Sequence, residues 1–191
     1  KKNNVKYVNK DILKINLEKL ISKNQIVFGN LPYNISSQIL VKFIKMQEWP
    51  PNYDRLIFMF QKEVGEKIIA KFKSKNYSRL SILTNSRLKI LKYFYVSKNC
   101  FFPRPKVESM VIEFIPIVRK DIEFKSIDTL EYITNILFSN KRKMINKAFK
   151  KLKIDESVVQ NDLNIDLRLR PENLAEAQYI KIANYYEKNF K

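Results

Sequence analysis

The sequence predicts an α/β sheet with helices packed on it, followed by a small all-helical region. Three observations predict this. Short apolar runs alternate with amphipathic helical patterns as far as Pro116. Proline- and asparagine-rich connectors separate those runs. After Pro116 the strand pattern stops, and only helical periodicity remains.

Taken in order, "KYVNKDILK" opens with a strand-like fragment at Lys6 to Val8, and Asp11 follows in a loop. "NQIVFGN" reads as a short buried strand, apolar from Ile26 to Phe28. "SSQILVKFIKMQ" reads as a helix with Ser36 or Ser37 as its N-cap. Its buried face would be Ile39, Leu40, Phe43 and Ile44. "WPPNYD" is a connector, "RLIFMFQ" a second strand, and "KEVGEKIIAKF" a helix. "YSRLSILTNSRLKI" reads as a further helix and "LKYFYVSK" as a strand. "CFFPRPKVES" is a proline-stiffened loop. "MVIEFIPI" is a strand alternating about Val111, Glu113 and Ile115. Two long helical patterns follow, "IDTLEYITNILFSNKRKMINKAFKKL" and "ENLAEAQYIKIANYYEKNF". The expected boundary lies near Val118, giving a sheet-bearing unit at 1–117 and a helical unit at 118–191. The second helix has Ala175 where a capping hydroxyl would serve, so Asn173 is the substitute cap.

Composition narrows the function. With 37 Lys+Arg against 19 Asp+Glu, the formal charge is +18. Such a field attracts polyanions, nucleic acid first and an acidic membrane surface second. A lysine-biased composition without function would give the same count. The chain has no histidine, which excludes a Ser-His-Asp triad and a His-ligated zinc site. No metal site is expected. Its two glycines, Gly29 and Gly65, are too few for a glycine-rich phosphate loop. The single Cys100 suits a reducing compartment, and the cytoplasm is the expected location. No apolar run is long enough to span a membrane.

The chemistry concentrates in "VFGNLPYNISSQIL". Asn30 to Tyr33 fall at the carboxyl end of a strand, where open α/β sheets bind ligands. The Asn30 amide oxygen and the Leu31 carbonyl oxygen are both acceptors. Pro32 fixes its own φ and restricts Leu31, so that carbonyl is held in one direction. Tyr33 offers a ring for stacking. Two acceptors and a ring suit a planar amine such as the exocyclic amine of adenine. The alternative is a plain turn in which Asn30 caps a helix and Pro32 and Tyr33 pack.

"NLPYNISSQIL" strongly resembles the amino-methyltransferase motif of the ribosomal RNA adenine dimethyltransferases, the KsgA family. "MFQKEVGEKIIA", "YSRLSIL" (with Ser78 for the family's glycine), "FFPRPKVESMVIEF", "NKRKMINKAF" and "LRPENLAEAQYIKIAN" match further family segments in the same order. The resemblance covers essentially the whole chain. It implies a Rossmann-like methyltransferase sheet dependent on S-adenosylmethionine, then a small helical domain. It implies dimethylation of adenines in small-subunit ribosomal RNA at N6 during ribosome assembly. The partners would be that RNA and the assembling small subunit, with the enzyme a monomer. Asn30, Leu31, Pro32 and Tyr33 would hold the target adenine, and Phe101 would stack on it, with Phe102 the alternative. Asp11 and Asn30 would contact the cofactor; a helix cap is the other reading of Asp11. Arg104 and Lys106 would hold phosphates beside the target base. Lys141, Arg142, Lys143 and Lys147 would do so on the helical tail, although a solvated lysine face reads the same. The alternatives are the related large-subunit methyltransferase of macrolide resistance and a non-catalytic RNA-binding assembly factor. The family's glycine-rich loop and ribose-binding acid are not found in this sequence. The chain is therefore expected to lack the N-terminal part of the catalytic domain, to bind S-adenosylmethionine weakly by itself, and to expose an apolar sheet edge and face.

Overall fold

The computed structural model describes residues 5–120 and 123–191. Its sheet has four strands: β1 (Gln25–Asn30), β2 (Tyr53–Gln61), β3 (Leu88–Val96) and β4 (Ser109–Pro116). The spatial order is β1-β2-β4-β3. β1 runs parallel to β2, and β4 runs antiparallel to both β2 and β3. The carboxyl ends of β1, β2 and β3 therefore share one end of the sheet with the start of β4. Asn30 sits beside Met59, and Ser109 lies between Gln61 and Val96. This arrangement gathers "NLPY" and "CFFPRP", far apart in sequence, at that one end.

Three helices cover one face: α1 (Ser36–Ile44), α2 (Lys62–Ile69) and α3 (Arg79–Arg87). The face beneath them is Leu56, Phe58 and Phe60 of β2 with Met110, Ile112 and Phe114 of β4, all buried. The expected α1 face of Ile39, Leu40, Phe43 and Ile44 is buried here, and the Phe43 ring meets Phe58 edge-on at 5.3 Å. Side chains of this size are each worth about 1.5–3 kcal/mol when fully buried. α2 approaches β4 closely because Gly65 has no side chain: a Cβ there would stand 2.6 Å from the Met110 sulfur.

The opposite face carries Ile26, Phe28, Ile57, Met59, Val111 and Ile115, by the alternation of the strands. Ile26 is 49% exposed and Phe28 71%. The expectation of a buried first strand is corrected here. β1 is an edge strand with an exposed apolar face, and an apolar run reads the same whether or not a neighbour covers it. On this face Glu113, only 5% exposed, takes an Arg55 hydrogen bond at 2.5 Å and lies 3.3 Å from Lys92. The Arg55 guanidinium holds its carboxyl below the ordinary carboxylate range, assisted by Lys92.

Other local expectations also change. Lys6 to Val8 are in no ladder. Ile35, not a serine, occupies the N-cap of α1, and Ser36 Oγ donates instead to the Tyr33 carbonyl at 3.1 Å. The tail forms α4 (Ile127–Phe138), α5 (Asn146–Leu152) and α6 (Glu176–Phe190). The long helical pattern from Ile127 thus breaks, and 139–145 is a turn. Buried Leu137, Ile145 and Phe149 keep the apolar spacing helical across that break. Asn173 accepts from Arg170 N, so it caps a preceding turn. The start of α6 is tied by Gln178 Oε1 accepting from Ala175 N at 2.9 Å.

The tail packs onto α1 and α3 through one charged joint. Glu131 of α4 accepts from Lys45 at 2.6 Å and from Arg79 at 2.9 Å, and Asp128 lies 2.8 Å from Lys45. Burial lowers the basicity of Lys45, but hydrogen bonds to Asp128 and Glu131 outweigh it and hold the ammonium above its ordinary pKa. A second lock closes the connector before β2. Arg87 donates to the carbonyls of Ile44 and Met46 and lies over the Trp49 ring, and Trp49 Nε1 donates to Ile117 O at 2.8 Å.

Candidate active site

The turn after β1 is built on Gly29. A Cβ at this position would lie 2.6 Å from Leu31 Cδ2 and 2.9 Å from Phe58 Cδ1. The Leu31 side chain folds back into that space, which turns the chain at Asn30. Pro32 O then accepts from Ile35 N at 3.1 Å and leads into α1. Tyr33 is fixed at the far end of its ring: its hydroxyl meets Ser109 Oγ at 2.6 Å. Ser109 is fully buried at the start of β4. The ring is therefore held from both ends, by the backbone of the turn and by the neighbouring strand.

Among the described residues, the Asn30 side chain has no hydrogen-bond partner, and the Leu31 carbonyl accepts none. Asn30 is exposed, and Leu31 is half-buried. Neither caps α1, so the capping part of the plain-turn reading is not met, while Tyr33 is fastened into the fold as that reading expects. Two acceptors are thus left open in the same turn as an anchored aromatic ring.

The loop 97–108 faces the same end of the sheet. Its base is closed by Lys62, whose backbone N donates to Glu108 O at 3.0 Å and whose ammonium lies 2.7 Å from the Glu108 carboxylate. The Lys62 hydrogen bond holds the Glu108 carboxyl below its ordinary range. Phe101 is half-buried, whereas Phe102 is fully exposed. Arg104 and Lys106 are exposed, and Lys106 shares a groove with Gln61, Lys62 and Lys98.

Asp11 caps its own turn: Oδ1 accepts from Leu13 N at 2.9 Å, and its backbone carbonyl accepts from Lys14 N and Ile15 N. Its other carboxylate oxygen has no partner among the described residues. On the tail, Lys141, Arg142 and Lys143 lie in the turn before α5, and Lys147 is within α5. The expected single helical stretch is corrected to a turn followed by a helix. Arg142, Lys143 and Lys147 are exposed, but Lys141 is engaged within the fold. It lies 3.3 Å from the Glu172 carboxylate and 3.5 Å from the Tyr77 carbonyl. Sequence reasoning missed Ser109 as the anchor of Tyr33. The available signal was its place as the closing residue of "FFPRPKVES".

The open acceptors and the anchored ring lie together at the strand ends of an α/β sheet, where such sheets bind ligands. Residues 1–188 match the family model described as ribosomal RNA adenine dimethylase. The chain is 42% identical over 185 residues to ribosomal RNA small subunit methyltransferase A of Pelagibacter ubique (strain HTCC1062), covering 96% of this chain and 70% of that protein. It is 36% identical over 189 residues to the protein of the same name in Malacoplasma penetrans (strain HF-2), covering 96% and 66%. A dimethyladenosine transferase from Plasmodium falciparum superposes with a TM-score of 0.76 at 26% identity, over 97% of this chain and 74% of that one. The 23S rRNA methyltransferase ErmE has a TM-score of 0.58 at 16% identity, over 94% and 71%, a likeness of fold.

This chain belongs to the ribosomal RNA adenine dimethylase family. The fold is the Rossmann-like methyltransferase fold, and the family's methyl donor is S-adenosylmethionine. The chain spans 54% to 70% of the length of the curated relatives named ribosomal RNA small subunit methyltransferase A that head the matches.

Proposed function

We propose that the protein transfers methyl groups to N6 of adenines in small-subunit ribosomal RNA, and that this chain carries the part that grips the base. The observation supporting this is the pair of open acceptors, Asn30 Oδ1 and Leu31 O, beside the anchored Tyr33 ring. An aryl amine is a poor nucleophile because its lone pair is delocalised into the ring. Acceptors on both N6 hydrogens of the unmethylated amine favour a pyramidal nitrogen with an available lone pair, and each methyl gained is matched by one N6 proton lost to solvent. Pro32 keeps the Leu31 carbonyl aimed, so the remaining contribution is alignment. No general base is needed before the attack, in keeping with a site that has no histidine.

The target adenine must leave its helix, and aromatic faces offset that cost at about 1–3 kcal/mol per stacked base. Tyr33 would supply one face, and Phe101, on the loop at the same end of the sheet, would supply the other. When bound, S-adenosylmethionine supplies the electrophilic methyl. The residues present fit part of it: the Asp11 carboxylate oxygen without a partner among the described residues would suit the amine of the cofactor's adenine, and Asn30 would contact the cofactor from the turn after β1. Arg104, Lys106, Arg142, Lys143 and Lys147 track phosphates, which position the RNA without specifying sequence. Lys141 contributes chiefly by holding the turn. The division near Val118 leaves Arg104 and Lys106 with the base-gripping residues and puts Arg142, Lys143 and Lys147 on the helical unit. The enzyme is proposed to be a cytoplasmic monomer acting on the assembling small subunit.

The test is methyl transfer by the full-length protein to small-subunit particles and, separately, to large-subunit RNA. Labelling of adenines in the small subunit alone is expected. Labelling of only the large-subunit RNA favours the resistance-type enzyme. Binding to both without labelling favours a non-catalytic assembly factor.

A further inference from the structure

The sequence from Lys67 to Val107 holds no acidic residue and eleven basic ones. Four of the eleven are engaged: Lys67 with Glu63, Arg79 with Glu131, Lys92 with Glu113, and Arg87 with two carbonyls. Lys71, Lys73, Lys75, Lys89, Lys98, Arg104 and Lys106 form no ion pair among the described residues.

The fold gathers several of these along the outer flank of β3, the edge strand on the side away from β1. A groove of about 650 Å³ there is lined by Lys71, Asn85, Lys89, Leu91, Lys92 and Tyr93, among others. A bulge at Leu91 interrupts the pairing of β3 with β4. Beyond it, Tyr93 and Tyr95 meet edge-to-face at 6.4 Å and are 48% and 51% exposed. The Lys62 ammonium stands 5.4 Å from the centre of the Tyr95 ring. Lys62, itself paired with Glu108, in turn shares the next groove with Lys98 and Lys106 and with Glu63 and Glu66, at the base of the loop that carries Phe101. Lysines and exposed rings thus lie side by side along this edge of the sheet, Lys89 on the open face and Tyr93 and Tyr95 on the other, and reach the base of the loop 97–108.

We infer that the β3 flank is a binding track for single-stranded RNA that feeds the target adenine toward the loop 97–108. The inference rests on the reading of the protein as an RNA adenine methyltransferase. The unpaired lysines supply backbone attraction without sequence preference. Tyr93 and Tyr95 supply stacking faces, which accept only unpaired bases. That combination separates this track from the patch around Lys143, which offers cations without exposed rings. A strand that is single on one side of the target adenine would also lower the cost of flipping it.

The test is fluorescence anisotropy with a labelled single-stranded RNA of roughly twelve nucleotides, within the usual range of site sizes. A duplex of equal length and heparin, a polyanion without bases, are the comparison ligands. Lys71→Ser/Lys89→Ser is expected to weaken single-strand binding about fivefold and to flatten the salt slope by about 1.4, two phosphates at ~0.7 each. Lys71→Arg/Lys89→Arg is expected to bind like the parent. Tyr93→Ala is expected to cost about tenfold on single-stranded RNA and nothing on heparin. Each variant should melt at the parent's temperature.

Unchanged single-strand affinity and salt slope in both the Ser/Ser and Tyr93→Ala variants overturn the track. So does a Tyr93→Ala variant that loses heparin and RNA equally. Methyl transfer persisting alongside unchanged binding overturns the track and leaves the proposed activity standing. Track-dependent binding with no methyl transfer by the parent protein does the reverse.

Discussion

The turn at Asn30 to Tyr33 and the joint at Lys45, Arg79 and Glu131 treat polar groups in opposite ways. In the joint every charge is answered. Glu131 bridges two cations, and Lys45 is shared between two carboxylates. In the turn, two acceptors are left open, although a tyrosine close by in the chain is fastened to a buried serine. Buried backbone and amide groups are paired wherever structure alone sets the terms. Asn30 is exposed and free to meet water or a ligand, and on the proposed reading its partner is the target base, whereas the closed charge network holds elements together.

Two substitutions sharpen that contrast in stability. The larger effect is expected at the joint. Glu131→Gln removes the charge that pairs Lys45 with Arg79 and should destabilise by about 1.5–3 kcal/mol, the range for hydrogen bonds to charged groups. Chemical denaturation reads this directly, and RNA affinity of the folded protein should stay unchanged. A smaller effect is expected at the turn. Tyr33→Phe keeps the ring but loses the bond to Ser109, at about 0.5–1.5 kcal/mol. Because the ring is then fastened only through its backbone, methyl transfer should fall more than stability does.

The two regions also differ in how well the sequence reports them. On the proposed reading, Asn30, Leu31, Pro32 and Tyr33 are legible because each residue type has a plain chemical use at a strand end. The α1 core face is legible because Ile39, Leu40, Phe43 and Ile44 follow the helical period. The Glu131 joint is not, since three charges far apart in sequence carry no local pattern. β1 misleads because Ile26 to Phe28 would look the same in a covered strand. Lys141 misleads in another way: its composition reads as a phosphate contact, while the fold turns it toward Glu172. Ser109 could be read only from its motif, because its partner Tyr33 is 76 residues away.

The measurement closest to the central claim is methyl transfer to small-subunit particles by the full-length protein carrying Asn30→Ala, followed together with thermal unfolding. The Asn30 amide holds no described part of the fold. The account therefore predicts an unfolding temperature within about 1 °C of the parent, as for an ordinary surface substitution. It predicts a loss of methyl transfer on the order of 100-fold or more, the scale for removing one preorganised polar contact to the reacting group. Methyl transfer within twofold of the parent would contradict the account and remove Asn30 from the base-gripping site.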